Sequence, residues 1–206
     1  LSDDENAKKW IYSNYIQLRC YNIKEIFTGE DILFTDLMPG SSSLKLCPYL
    51  VYSLLTKEQI ESYCGNVVDF IIKTIDLGGY VYGVFDEAKI ICDAGVDYKF
   101  PHELFIYGYN RDKEYFYAGD FTFKDHYAHN TVSFADLERG FEVISAQEDH
   151  MLNDDYKGQR GLYVITKNTE SSTYELDITL IKQNLKEYLN SKDTKTFEDL
   201  DMGWGT

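Results

Sequence analysis

His102 opens an alternating aromatic run, His102-Glu-Leu-Phe-Ile-Tyr-Gly-Tyr109, and Asp120 closes the next, Tyr115-Phe-Tyr-Ala-Gly-Asp120. The polar stretch Asn110-Arg111-Asp112-Lys113 between them predicts a hairpin, in which the start of one strand lies beside the end of the other. That arrangement can hold a carboxylate against an imidazole. Such a pair activates a thiol: thiolate is the attacking species, the imidazole takes its proton, and the carboxylate fixes the tautomer. Cys20, well upstream, is the candidate nucleophile, with His102 as base and Asp120 as orienter. Acyl transfer also needs donors for the oxyanion. The side-chain amides of Asn14 and Gln17, shortly before Cys20, are the candidates.

Each residue has a competing structural reading. From Trp10, the positions Ile16, Cys20, Ile23 and Phe27 fall at helical spacing, which predicts a helix ended by Gly29 and makes a buried, inert Cys20 the rival. Cys47 precedes Pro48 in an irregular stretch, Cys64 ends a short helix, and Cys92 lies close to His102. No C-x-x-C pair occurs, so a metal knuckle is not expected. Asp125-His126-x-x-His129 sits in what reads as a loop before Ser133, with no third ligand evident. No metal and no organic cofactor are expected, and the cysteines read as thiols of a cytoplasmic protein.

The chain of 206 residues carries a formal net charge of −15, with no Lys/Arg cluster. That balance argues against nucleic acid, whose phosphates need concentrated basic charge, and against an anionic membrane surface. No apolar run is long enough for a spanning helix, and no signal-peptide pattern is present. The length suits one domain, and the heavy use of Tyr and Phe suits strands with one wetted face.

The elements that must position these residues change character near Gly79. Before it, Thr56-x-x-Gln59 is a capping box, and Asn66 caps a helix carrying Val68, Ile71, Ile72 and Ile75, stopped by Gly78-Gly79. After it come a strand Tyr80–Phe85, the His102 and Asp120 strands, a short helix from Ser133 to about Val143, and a strand Gly161–Thr166. Ser172-x-x-Glu175 would cap a C-terminal helix. The expectation is a single α+β domain: residues 8–78 as a helical half bearing the nucleophile on a helix, 79–190 as an antiparallel sheet half with a C-terminal helix, and 191–206 as a polar tail containing Trp204.

The order Cys20, then His102 heading an aromatic strand with Gly108-Tyr109, then Asp120 ending the next, resembles the papain-like cysteine enzyme superfamily. Val132-Ser133-Phe134 matches the short helix that follows the strand pair in the branch of bacteriocin-leader cysteine peptidases. The resemblance covers about residues 10–145. Those peptidases have Asp-Cys-Gly at the nucleophile, a glutamine six residues before it, and Asp-Pro at the third position; this chain has Arg19-Cys20-Tyr21, Asn14 and Asp120-Phe121. It is more similar to the stand-alone papain-like acyltransferases and amide synthases of antibiotic clusters, the group of the butirosin side-chain transferase and the closthioamide amide synthase. That resemblance implies transfer of an acyl group from the phosphopantetheine thioester of an acyl or peptidyl carrier protein, through an acyl-enzyme, to a small-molecule amine. A cysteine peptidase of the same fold is the alternative, and an inactive papain-like binding module is the second. Monomer and homodimer both remain open.

Overall fold

The computed structural model describes residues 4–14, 18–24, 31–37, 47–91, 99–120, 127–149, 159–170 and 173–190. The chain is mixed α+β and divides into two compact units, Leu1–Leu50 with Asn168–Thr206, and Val51–Lys167.

The first unit contains helix α1 (Glu5–Asn14), an antiparallel pair β1 (Leu18–Lys24) and β2 (Asp31–Leu37), and α6 (Ile178–Leu189) near its end. Helix α1 is shorter than the expected helix through Phe27. Its last residue, Asn14, turns its own amide back to donate to the Trp10 carbonyl at 2.8 Å, satisfying one of the carbonyls a helix end leaves bare. Cys20 therefore lies on strand β1, paired with Thr35, and not on a nucleophile helix. A four-three-four spacing signals a helical face only; on a strand, same-face positions are two apart. Ala7 and Trp10 pack with Cys47 and Tyr49 in a small core. Helix α6 is capped by Asp177, whose carboxylate accepts the Leu180 N–H at 2.9 Å, so Ser172-x-x-Glu175 is not its cap. Asp is as good an N-cap as Ser, and Asp177 is itself anchored where its N–H donates to the Ser13 hydroxyl at 2.9 Å.

The second unit is built on a six-stranded sheet. In chain order its elements are β3 (Leu50–Thr56), α2 (Lys57–Cys64), α3 (Val67–Asp76), β4 (Tyr80–Asp86), α4 (Glu87–Ile91), β5 (Pro101–Asn110), β6 (Tyr115–Asp120), β7 (Ala128–Ser133), α5 (Phe134–Glu142) and β8 (Gly161–Lys167). The strand order is β3-β8-β4-β5-β6-β7, antiparallel at every junction from β8 to β7. Both predicted caps are present: the Thr56/Gln59 box starts α2, and Asn66 starts α3. Ser133 likewise caps α5, accepting the Asp136 N–H at 3.0 Å.

The period-two pattern of β5 and β6 turns Leu104, Ile106, Phe116 and Ala118 to one face. There they join Ile60, Phe70, Ile71, Leu137 and Phe141 of the helices in one core. Helices α2 and α3 thus share a core with the sheet inside the second unit. The opposite sheet face carries a row of rings: Phe105 stacks with Tyr107 at 6.2 Å and Tyr107 with Tyr117 at 6.3 Å, while His129 meets Tyr107 edge-on at 5.3 Å. His129 thus lies on β7 and not in a loop. Strand β7 escapes a sequence reading because only Val132 of its residues is buried; His129, Asn130 and Thr131 remain exposed, as suits a strand at a sheet edge.

Candidate functional site

Strands β4, β5 and β6 bring the reactive groups together at one end of the core face. The antiparallel register pairs Phe85 with His102 and Asp86 with Pro101, so the end of β4 meets the start of β5. Pro101 is tolerated there because the first residue of a strand need not donate to the ladder. The β5–β6 register pairs Phe105 with Gly119. Carried one residue further it sets Asp120 opposite Leu104, so His102 is the diagonal neighbour of Asp120 on the same face. The predicted pair meets: His102 Nδ1 lies 3.2 Å from Asp120 Oδ1.

Two acids that the sequence reading missed belong to the same place. Glu87 is fully buried, and its Oε1 lies 3.5 Å from His102 Nδ1. Its backbone is fixed where the Glu87 N–H donates to the Phe100 carbonyl at 2.9 Å. Asp86, also fully buried, accepts the Phe100 N–H at 2.7 Å and the Ala88 N–H at 3.2 Å. Phe100 in turn stacks on the His102 ring, with centroids 5.6 Å apart. Asp86 and Phe100 thereby hold one flat face of the imidazole. The available signal was the adjacent acid pair closing an apolar strand; its use depended on the β4–β5 register, which no short motif encodes.

The Asp120 and Glu87 oxygens, with those of Glu103, gather at one ring nitrogen. The Glu103 carbonyl lies 3.3 Å from Nδ1 and the Glu103 carboxylate 3.8 Å. An imidazole nitrogen surrounded by acceptors carries the proton, which leaves the lone pair on Nε2. The ring is about one-third exposed while Asp120 and Glu87 are shielded, so the His102 side chain forms the boundary between buried acids and solvent. Chemically this is a base whose proton-accepting atom is Nε2.

The same residues also have metal-ligand chemistry. Glu87, His102 and Asp120 each offer one ligand atom, all within 4.8 Å of one another, and are the one such group among the described residues. The 3.2 and 3.5 Å separations are near the value of about 3.3 Å between ligands around a tetrahedral ion with bonds of about 2.0–2.1 Å.

The remaining candidates are placed less favourably or not at all. Cys20 belongs to the first unit, on β1, and His102 and Asp120 to the second. The Asn14 amide donates to the Trp10 carbonyl at 2.8 Å and reaches the Tyr174 hydroxyl at 3.5 Å, both within the first unit. Gln17, Cys92, Asp125, His126 and Trp204 lie outside the described residues. Cys47 is buried, and that burial pushes its thiol pKa up, which suppresses the thiolate. Cys64 packs against the sheet core. Among the described residues, no helix is long and apolar enough to cross a membrane.

Compared with known proteins, the chain matches no protein-family model, and no curated protein is similar enough to count as a match.

Proposed function

We propose that the protein is a papain-like cysteine acyltransferase that forms an amide from a carrier-protein thioester in natural-product assembly. The observation that carries this reading is the Asp120–His102 contact, which presents Nε2 as a base. In the reaction, Nε2 takes the Cys20 thiol proton and the thiolate attacks the thioester carbonyl carbon. The tetrahedral intermediate collapses with loss of the phosphopantetheine thiolate, which receives the proton from the imidazolium. An amine then attacks the Cys20 acyl thioester and gives its proton to His102, and the Cys20 thiolate leaves. Asn14 or Gln17 supplies the side-chain amide for the oxyanion. Cys20 enters by its order in the sequence and by the inertness of buried Cys47. Phosphopantetheine belongs to the carrier, and the reaction needs no resident cofactor.

Intact-mass spectrometry tests the reading. Incubation with acyl-loaded carrier protein adds one acyl mass to the wild-type chain and none to Cys20→Ala. A chelator in the incubation leaves this acylation unchanged. If Cys64→Ala abolishes the adduct and Cys20→Ala does not, the nucleophile is misassigned. Hydrolysis of peptides without any acyl transfer would instead identify the peptidase, in which water is the acceptor. Loss of acylation on chelation would turn the Glu87–His102–Asp120 group into a metal centre.

A further inference from the structure

We propose that Glu87 is a second orienting carboxylate for His102, sharing with Asp120 the task of holding the proton on Nδ1. This inference rests on the reading of His102 as the base of acyl transfer. Only one N–H is available at Nδ1, yet Asp120 Oδ1 and Glu87 Oε1 approach it at 3.2 and 3.5 Å. The Glu103 carbonyl and carboxylate also face it, at 3.3 and 3.8 Å. Glu87 differs from Glu103 in burial: its side chain is entirely shielded, whereas that of Glu103 is 30% exposed and partly screened by water. A carboxylate removed from water interacts strongly with the nearest donor or positive charge, because little solvent competes. Glu87 is also anchored through its backbone, whose N–H donates to the Phe100 carbonyl, and its side chain is fully buried.

The consequence is redundancy. Where one carboxylate alone orients a catalytic histidine, its amide replacement presents the wrong tautomer and costs about ten-thousand-fold in rate. Here the Nδ1–H form keeps a buried carboxylate acceptor after either single replacement. After both it keeps only the neutral Glu103 carbonyl and the partly exposed Glu103 carboxylate, which hold the proton less strongly. Asp120→Asn or Glu87→Gln alone lowers kcat by about tenfold with KM little changed. The double variant falls by far more than the product of the two, since coupled residues are not additive.

The test reads the tautomer directly, through the imidazole nitrogen-15 shifts of His102 in the full-length protein at a pH where the ring is neutral. Wild type, Asp120→Asn and Glu87→Gln are each expected to show the Nδ1–H form, and the double variant the Nε2–H form that an unconstrained histidine side chain favours. A purely structural role for Glu87 would leave the double variant no different from Asp120→Asn. Complete conversion to Nε2–H in Asp120→Asn alone overturns the proposal, and that single isosteric variant keeps it falsifiable if the double variant does not fold. The shifts need no acyl donor. Expected tautomers without acylation would overturn the acyltransferase reading and leave this one standing, and the converse holds equally.

Discussion

His102→Ala lowers the rate of acyl transfer to Cys20 by about ten-thousand-fold, as measured by single-turnover acylation from a loaded carrier protein. The size of the effect follows from where Cys20 lies. A cysteine at a helix N-terminus gains thiolate from the helix dipole even without a base. Strand β1 offers no such helix terminus of its own, so in the proposed mechanism activation falls to the imidazole. His102→Gln, which keeps a polar side chain of similar length but cannot accept the proton, is expected to be as slow as His102→Ala. A drop of less than about tenfold in either variant would mean that His102 is not the base.

Phe116→Ala destabilises the fold by about 3–5 kcal/mol, the range for deleting a buried ring from a packed core. Phe116 is fully buried, and its ring lies 4.5 Å from that of Phe134, joining the sheet to the first turn of α5. It also sits on β6, four residues before Asp120 and on the same face, about 13 Å along the strand from it. Against a typical total stability of about 5–15 kcal/mol, such a loss leaves a visibly larger unfolded fraction. Urea unfolding of the variant is expected to show a lower midpoint with an unchanged slope. Phe116→Leu, closer in volume, is expected to cost less than about 1.5 kcal/mol. Equal midpoints for wild type and Phe116→Ala would show that this ring does not hold β6 in place.

The parts of the site that could be read from sequence are those in which local pattern and tertiary register agree. Alternation in 101–110 and 115–120 and the polar turn between them gave both strands and the meeting of His102 with Asp120. The caps at Thr56, Asn66 and Ser133 were legible because each is a local hydrogen bond, complete within four residues. Three features were not. The residues Leu18–Lys24 mimic a helical stripe, and their strand conformation depends on pairing with Asp31–Leu37, with no tight-turn dipeptide in the sequence between to announce a hairpin. Strand β7 has a single buried apolar residue and so no hydrophobic alternation to announce it. Glu87 reaches His102 through the β4–β5 register, a relation between residues fifteen apart that neither strand reveals alone. Its burial, not its identity, makes it part of the site.

The central claim is that His102 keeps Cys20 as a thiolate, and alkylation kinetics test it without any knowledge of the substrate. At neutral pH, peptide mapping after brief iodoacetamide exposure is expected to show Cys20 reacting ahead of Cys47, Cys64 and Cys92. In His102→Ala, the Cys20 rate falls by at least about tenfold, toward that of an unperturbed thiol, of which only a few per cent is ionised at neutral pH. An unchanged Cys20 rate in His102→Ala, or a Cys20 slower than Cys64 in the wild-type protein, would contradict the pairing.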